Sequence, residues 1–288
     1  MSQSLGFIFV VLAGIGFGFL GIFGRLAFQS GLSVGELLTF RFTLASLLMW
    51  IGLFIFKREQ INLSLKQILI SCGLGVFGYA VFSTLYFKSI EGISVPLAAL
   101  LLFTFPIFVN LAAHFILKQR MSKKQFLSLV VACLGLGILL WGPLIVNSLT
   151  AVIYALLAAL TYAVYVIVSG EVQKDVQPFS SSLYVITSAA LALALFHQPD
   201  FSKITSLSSH QIWIIIGIAL VSTIGPLTLF LAGLQRLPSS KASIVVMIEP
   251  VVAAIAAWIL LNEQLNSIQL VGSGLVMLAL FLNSQKDN

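Results

Sequence analysis

The sequence predicts an all-α polytopic membrane protein whose ten transmembrane helices form two inverted five-helix repeats. Hydrophobic residues make up 59% of the 288 residues and charged residues 8%, whereas a soluble domain has about 25% charged residues. Ten apolar runs are long enough to cross a bilayer, which takes about 20 residues. In addition, the last two runs of each half share a pattern at a fixed offset, because Pro106 and Pro250 are separated by 144 residues, half of the chain.

The ten predicted spans follow one another with short linkers, which favours antiparallel neighbours. The first run is too long for the core of a signal peptide and no basic segment precedes it, so we expect it to be retained as a span. The longest linker, from His197 to His210, is expected to lie partly along the membrane surface. The spans are expected at residues 5–28, 34–56, 67–87, 93–117, 125–145, 149–170, 178–196, 211–233, 240–261 and 267–284.

The offset of 144 residues indicates a duplication, with a first repeat at residues 1–146 and a second at 147–288. Each repeat holds five spans, an odd number, so the two must insert upside down relative to each other. A chance alignment of alanine-rich and leucine-rich helices is the alternative, but paired prolines among several identities argue against it. The identical pairs are Ala98/Ala242, Pro106/Pro250, Ala112/Ala256, Ala113/Ala257, Leu117/Leu261, Gln125/Gln269, Leu134/Leu278 and Leu136/Leu280.

The distribution of basic residues predicts that both termini face the cytoplasm, because cytoplasmic loops of membrane proteins are enriched in lysine and arginine. With this orientation only Arg25, Lys88 and Lys203 lie on the outer side. The expected location is the inner or plasma membrane. The basic residues expected on the cytoplasmic side are Lys57, Arg58, Lys66, Lys118, Arg120, Lys123, Lys124, Lys174, Arg236, Lys241 and Lys286.

Glu249 is the only acidic residue in the apolar run from Ile244 to Leu261, and Pro250 follows it directly. A charge at the centre of a membrane-spanning helix costs about 2.5–3.5 kcal/mol on insertion scales, and proline removes a backbone donor. Glu249 lies about 15 Å from the inner surface at 1.5 Å per residue. It is a candidate proton-binding or substrate-binding group, and the alternative is a structural carboxyl that binds free backbone donors at the proline break.

Arg41 is the second candidate charge, because it lies at a depth of about 10 Å from the outer side of the second span. We expect Arg41 and Glu249 to face one cavity, either as a direct pair or by sharing a substrate. An amino acid or another zwitterion would suit such a pair. The alternative is that Arg41 extends along the helix to the outer interface.

Further candidate site residues are tyrosines and two basic side chains near the inner surface. Tyr79 and Tyr86 are seven residues apart and share a helix face, and Tyr162 lies in the sixth span. A buried phenol needs a hydrogen-bond partner, which a wet cavity supplies, although core packing is the alternative. His114 is expected to be a buried histidine or a proton relay. Lys241 is expected to anchor its helix at the interface or to attract an anionic substrate.

Glycines and prolines are expected to weaken several helices around this cavity. Pro106 and Pro250 place equivalent breaks in the fourth and ninth spans, and Gly225-Pro226 is expected to break the eighth. Gly14 and Gly18 form a face of small residues that allows another helix to approach closely. Inverted repeats with matching broken helices are typical of secondary transporters with a site near the bilayer midplane.

The second half resembles the second EamA repeat of the drug/metabolite transporter superfamily, and Arg41-Phe42 is similar to a pair in the first repeat. The first half departs from the pattern, since Lys118-Gln119-Arg120 lacks the glutamate that Glu263 supplies in the second repeat. The resemblance implies a ten-helix bundle that exports or exchanges small metabolites or drugs, without fixing the substrate. The residues that carry it in the second half are Arg236-Leu237-Pro238, Lys241-Ala242-Ser243, Glu249-Pro250-Val251-Val252-Ala253, Leu261-Asn262-Glu263 and Gly272.

Other classes of protein fit the sequence less well. The net charge of +6 does not indicate a nucleic-acid partner, because the basic residues lie in short loops. Gly31 to Gly35 matches the G-x-S-x-G pattern of hydrolases, but this segment is a turn between two spans rather than a strand-to-helix elbow. A channel or receptor is the main alternative, and a membrane-embedded enzyme is weaker. We expect no cofactor or metal site, a small-molecule substrate with or without protons, and either a monomer or a homodimer.

Overall fold

The computed structural model describes residues 3–56, 58–119, 121–142, 145–172, 174–262 and 264–285, except for the side chain of Gln60. Lys57, Arg120, Glu263 and Lys286, on which parts of the predicted orientation and resemblance depend, lie outside the described residues. The described chain forms ten long helices, which confirms the predicted fold class. They are α1 (Gln3–Gln29), α2 (Val34–Phe56), α3 (Leu65–Ile90), α4 (Val95–Phe115), α5 (Lys123–Leu139), α6 (Leu149–Val172), α7 (Pro178–His197), α8 (Ser209–Leu234), α9 (Ser239–Leu261) and α10 (Ser267–Ser284).

Nine of these described helices are both long and apolar enough to cross a membrane, and the tenth, α5, has 17 residues. The fifth span ends at Leu139, six residues before the predicted end at residue 145. Several helices begin with side-chain caps, which bind the first free backbone N–H groups. Ser64 and Gln67 form a capping box at the start of α3, and Asn266 and Gln269 form one at the start of α10.

The two halves of the chain run in opposite directions, as the packing of α5 against its counterpart α10 demonstrates. Ser128 near the start of α5 donates a hydrogen bond of 2.6 Å to the carbonyl oxygen of Ala279 near the end of α10. At the other end of the pair, the backbone of Leu139 lies so close to Gly272 that no Cβ would fit there. Equivalent helices of two parallel repeats could not pack in this antiparallel way.

The counterparts α2 and α7 are antiparallel in the same manner. Ser46 and Thr187 share a hydrogen bond of 2.8 Å within the membrane-spanning part. Glu36 at the start of α2 binds Lys203, which follows the end of α7, at 2.6 Å. Lys203 belongs to a short 3-10 helix, Phe201–Ser206, which forms most of the linker predicted to lie along the surface.

Helix distortions recur at the same offset in both repeats. A π-helical turn occurs in α3 at Leu74–Ala80 and in α8 at Leu220–Ile224, whose counterparts at the offset of 144 are residues 76–80. The turn at residues 103–104 interrupts α4 just before Phe105, and a 3-10 turn, Val246–Ile248, interrupts α9 just before Glu249. The break in α8 predicted at Gly225-Pro226 takes a different form, because the helix continues through this pair after its π-helical turn. Pro226 therefore distorts α8 without ending it.

We call the two ends of the helix bundle the N-face and the far face. The N-face is the end at which α1 begins at Gln3 and α10 ends at Ser284, and the far face is the opposite end. Large apolar side chains are exposed along most helices, including Phe77, Trp213 and Phe281. Such a surface is unsuited to water and fits the hydrocarbon of a bilayer.

Candidate functional site

The helices α4 and α9 meet at the N-face and separate towards the far face. Their N-face halves, Phe105–Phe115 and Ser239–Val245, pack against each other, whereas the far-face halves, Val95–Leu102 and Glu249–Leu261, have isolated contacts at most. The burial of a matched pair of alanines agrees, since Ala113 on the N-face side is 2% exposed and its counterpart Ala257 is partly exposed. The central part of α9 is therefore approached from the far face.

Glu249 begins the far-face half of α9, directly after the 3-10 turn. The small-residue face of α1 packs on this point, as predicted for Gly14 and Gly18. A Cβ on Gly18 would lie 2.8 Å from the carbonyl oxygen of Glu249 and 2.7 Å from Cβ of Val252. Within the described residues, the partly buried Glu249 carboxyl makes no hydrogen bond or ion pair. The described geometry thus gives no support to a structural carboxyl that binds free backbone donors.

Arg41 lies in the far-face half of α2 and is 3% exposed, so it does not extend to the interface. Its guanidinium carbon lies 4.6 Å from the centre of the Phe42 ring. The Nε atom is buried without a hydrogen-bond partner, and no carboxylate of the described residues forms an ion pair with Arg41. A permanently charged group is thus held in the membrane interior without an anion from the described protein.

Tyr79 packs next to Arg41. It belongs to the π-helical turn of α3, and its ring packs edge-on against Phe42 at 5.3 Å and Tyr165 at 5.7 Å. Within the described residues, Arg41 and Glu249 form no ion pair with each other. Of the two arrangements expected for this pair, direct pairing is therefore absent, and a shared substrate is left.

Two further predicted tyrosines belong to aromatic contacts in the first repeat and at α6. Tyr86 lies in the far-face half of α3, where its ring packs edge-on against Phe87 at 5.6 Å. Tyr162 of α6 packs against Phe82 at 4.9 Å and against Phe105 of α4 at 4.6 Å. Phe82, Phe105 and Tyr162 thus form one cluster of α3, α4 and α6 next to the break in α4.

His114 and Lys241 lie apart from this cluster, near the N-face. His114 is exposed, and its Nδ1 atom is 3.3 Å from the carbonyl oxygen of Gln119, so the expectation of a buried histidine is wrong. Lys241 stands eight residues before Glu249, about 12 Å along the helix. It is half-buried beside a cavity of about 230 Å³ that residues from α1 and α10 also line. Asn283 donates a hydrogen bond of 3.1 Å to its carbonyl oxygen.

Sequence reasoning missed two polar clusters. Asn110 and Gln125 form a buried amide pair near the N-face, at 3.0 Å. Comparison of the repeats would have revealed Asn110, because the offset of 144 places Ala254 at its counterpart. At the far face, the Glu36 carboxylate lies 2.6 Å from Lys203 and raises the pKa of that lysine. The sequence did contain a pattern that could have identified Glu36, because Glu36 stands three residues after Ser33, as in a helix cap.

Ser33 uses its hydroxyl for this cap. Its Oγ atom donates a hydrogen bond of 2.9 Å to Oε2 of Glu36, and its backbone N–H donates a second bond of 2.8 Å to the same oxygen. The nearest described histidine, His197, packs against Gly35 and shares a hydrogen bond of 3.3 Å with Thr84. The G-x-S-x-G pattern therefore marks the start of α2.

Comparison with known proteins yields a family match over both halves of the chain. The EamA-like transporter family matches residues 4–141 and again residues 149–285. The uncharacterized transporter YcbK of Bacillus subtilis is 26% identical over 283 residues, which cover 95% of this chain and 90% of that protein. The threonine/homoserine exporter RhtA of Escherichia coli is 27% identical over 233 residues, which cover 78% of this chain and 71% of RhtA.

A protein of known crystal structure has the same fold. The superposition has a TM-score of 0.82 and covers 99% of this chain and 97% of that protein, at 14% sequence identity. This similarity concerns the arrangement of the helices alone.

Proposed function

The chain belongs to the EamA-like transporter family, and we propose that it is a secondary transporter that exports or exchanges small amino-acid-like solutes by alternating access. It is a multi-pass membrane protein. In this proposal the two repeats, residues 1–146 and 147–288, are the units that move against each other. A bent helix near the midplane, α4 or α9, belongs to each unit.

The proposed orientation places the N-face in the cytoplasm. The described basic residues support it, because most of them lie in linkers or helix ends on the N-face. Three described residues, Arg25, Lys88 and Lys203, lie on the far face. Since lysine and arginine accumulate on the cytoplasmic side, the diverging far-face halves of α4 and α9 face the outside in this proposal.

The single observation that carries the substrate class is that Arg41 and Glu249, two ionisable side chains in the membrane interior, have no ionic partner among the described residues. Arg41 cannot lose its proton, and its planar guanidinium binds a carboxylate through two parallel hydrogen bonds. Glu249 offers an acceptor for an ammonium group. An α-amino acid carries both groups, and it would satisfy both side chains at once. The printed name of RhtA, a threonine/homoserine exporter, agrees with this class.

Proton coupling follows from the same arrangement. Without substrate, the Glu249 carboxyl has no cationic partner among the described residues, and in this proposal it holds a proton in the empty carrier. Arrival of an ammonium group favours the carboxylate, so the proton leaves as the substrate binds. Exchange of one proton for one substrate at Glu249 would drive export with the inward proton gradient.

A carrier fits better than a channel. The N-face halves of α4 and α9 are packed together while the far-face halves diverge, so the path is closed at one end. A channel needs a path that is open at both ends, whereas a carrier alternates between ends. Ser33 caps a helix, so the G-x-S-x-G pattern does not support an enzymatic role.

The test measures transport of labelled amino acids into proteoliposomes that contain the purified protein. We expect saturable uptake, counterflow, and stimulation by a pH gradient for at least one neutral amino acid. Arg41→Lys keeps the charge but loses the planar guanidinium that makes two parallel hydrogen bonds. We expect its KM to rise about ten-fold, as for one lost hydrogen bond to a charged group. Arg58→Lys, at an exposed position near the N-face, is the matched control. Conductance beyond carrier rates, or no effect of Arg41→Lys, contradicts the proposal.

A further inference from the structure

The closed N-face contact between α4 and α9 contains a buried polar cluster, which we call the N-face latch. It consists of Asn110, Gln125, Ser240 and Ser243, all of which are buried. Asn110 Nδ2 donates to the carbonyl oxygen of Pro106 at 2.8 Å and reaches the Ser240 carbonyl oxygen and Ser243 Oγ of α9, each at 3.4 Å. Its Oδ1 atom accepts a hydrogen bond of 3.0 Å from Gln125 Nε2 of α5. One side chain thus connects three helices.

The symmetric location at the far face lacks this chemistry. The offset of 144 residues pairs Asn110 with Ala254 and Ser243 with Ala99, so methyl groups replace an amide and a hydroxyl. Here the two helix halves are apart. The halves of α4 and α9 are in contact at the N-face, where these positions are polar. They are apart at the far face, where the positions are apolar.

Gln125 and Gln269 are identical at the offset of 144, but their side chains make different contacts. Gln125 directs its side chain to Asn110. Its counterpart Gln269 instead accepts a hydrogen bond of 3.1 Å from the backbone N–H of Asn266, which caps its own helix α10. The same residue type therefore joins two helices in one repeat and serves one helix in the other.

We propose that Asn110 is a gating residue whose latch biases the resting carrier towards the conformation closed at the N-face. The inference rests on the proposed alternating access, and it concerns which of the two conformations prevails without substrate. Hydrogen bonds between membrane helices are individually weak, and water replaces them when a gate opens. The latch therefore biases the equilibrium without locking it, as a transporter requires.

A small cavity lies beside the latch. It has about 10 Å³ and is lined by Asn110, Gln125 and Ser240 together with the exposed His114. This space is about what one water molecule needs. Water can thus reach the amide pair from the N-face and replace its hydrogen bonds as the helices separate.

The test compares the accessibility of two matched cysteines in a background of Cys72→Ala and Cys133→Ala. Ala113→Cys reports on the N-face gate and Ala257→Cys on the far-face gate, since the offset pairs these positions. A membrane-impermeant maleimide is applied to each side without substrate. We expect Asn110→Ala to raise labelling at the first reporter about three- to ten-fold, as for the loss of two or three interhelical hydrogen bonds, and to lower it at the second. Asn62→Ala, in an exposed loop, should leave both rates unchanged.

A second variant moves the latch. Asn110→Ala combined with Ala254→Asn and Ala99→Ser places the polar groups at the far face, and we expect labelling at the Ala257→Cys reporter to fall below that of the parent. Unchanged rates at both reporters in folded variants would overturn the latch. If Asn110→Ala does not fold, Ser243→Ala and Gln125→Leu each remove one partner and should produce about a two-fold change. The labelling needs no substrate, so its result is independent of whether amino acids are transported.

Discussion

Two symmetry-related locations in the middle of the membrane hold different side chains. In the first repeat, Phe105 after the break in α4 is 1% exposed, and its ring packs at 4.6 Å against Tyr162 of α6. The offset of 144 residues pairs Phe105 with Glu249 and Tyr162 with Gly18. At the symmetric location a partly buried carboxyl of the second repeat and a glycine of the first therefore take the places of the two packed rings.

This difference separates architecture from chemistry. Both helices are interrupted at the same point and begin again with a proline at the second position, Pro106 or Pro250. The interruption is shared, so it belongs to the symmetric scaffold and the motion that the scaffold permits. The acidic group occurs once, so the binding event is expected to depend on α9 and its neighbour α1 more than on α4 and α6.

The largest expected effect distinguishes the two positions directly. Glu249→Gln removes the group that exchanges a proton for an ammonium, and we expect gradient-driven uptake in proteoliposomes to fall at least about thirty-fold, as for one hydrogen bond to a charged group. Phe105→Leu keeps an apolar side chain at the counterpart and should change uptake by less than about three-fold. Uptake that retains its gradient dependence in Glu249→Gln would remove Glu249 from the proton path.

The next effect concerns the glycine beside that carboxyl. A methyl group at Gly18 would lie 2.7 Å from Cβ of Val252 and 2.8 Å from the Glu249 carbonyl oxygen. We expect Gly18→Ala to push α1 from α9, to destabilise the protein by about 1–3 kcal/mol as other overpacked sites do, and to slow transport about ten-fold. Thermal unfolding in detergent and initial uptake rates measure the two effects.

Gly52→Ala is the matched control for this substitution. No atom lies within 4 Å of the place that a Cβ on Gly52 would take. The control should keep the transport rate of the parent and be no less stable than it, since alanine is more favourable than glycine in a helix. An equal loss in the two variants would mean that glycine flexibility, and not the close approach of α1 to α9, explains the effect of Gly18→Ala.

The sequence was sufficient for the scaffold and for the position of the charges along it. Hydropathy and the repeated prolines predicted the ten helices and their inversion, because those features depend on single residues and on their spacing. The sequence left open whether Arg41 and Glu249 pair directly or share a substrate, since equal depth does not specify which helix faces turn towards each other. Tyr79, placed by a π-helical turn, packs against Phe42 next to Arg41.

The polar gate was missed for a related reason. Asn110 stands alone in an apolar run, and its partners on α5 and α9 are distant in the sequence. His114 was expected to be buried from its place near the end of a span, but it belongs to the last exposed turn of α4. Local patterns thus determine the helices, while contacts across the bundle determine the site.

The prolines provide a test of the shared part of the comparison. Pro106→Ala and Pro250→Ala each restore a backbone N–H and allow a more continuous helix. We expect both variants to lower the transport rate by a similar factor, about two- to five-fold, with little change in KM, given the 0.4–1 kcal/mol typical of such substitutions. Uptake measured over a range of substrate concentrations separates the two parameters. A large loss in Pro250→Ala alone would show that the two breaks are not equivalent.

The smallest expected effect lies one turn from Gly18 on the same helix. The offset pairs Gly21 with Tyr165, a fully buried ring, yet a Cβ on Gly21 would meet no atom within 4 Å. Because glycine in a helix is about 1 kcal/mol less favourable than alanine, Gly21→Ala should leave uptake within about two-fold of the parent and raise the unfolding temperature slightly. Loss of transport without loss of stability would instead identify Gly21 as a hinge. In that case α1 would bend during the cycle, and the asymmetry between the repeats would extend from the charged site to the motion itself.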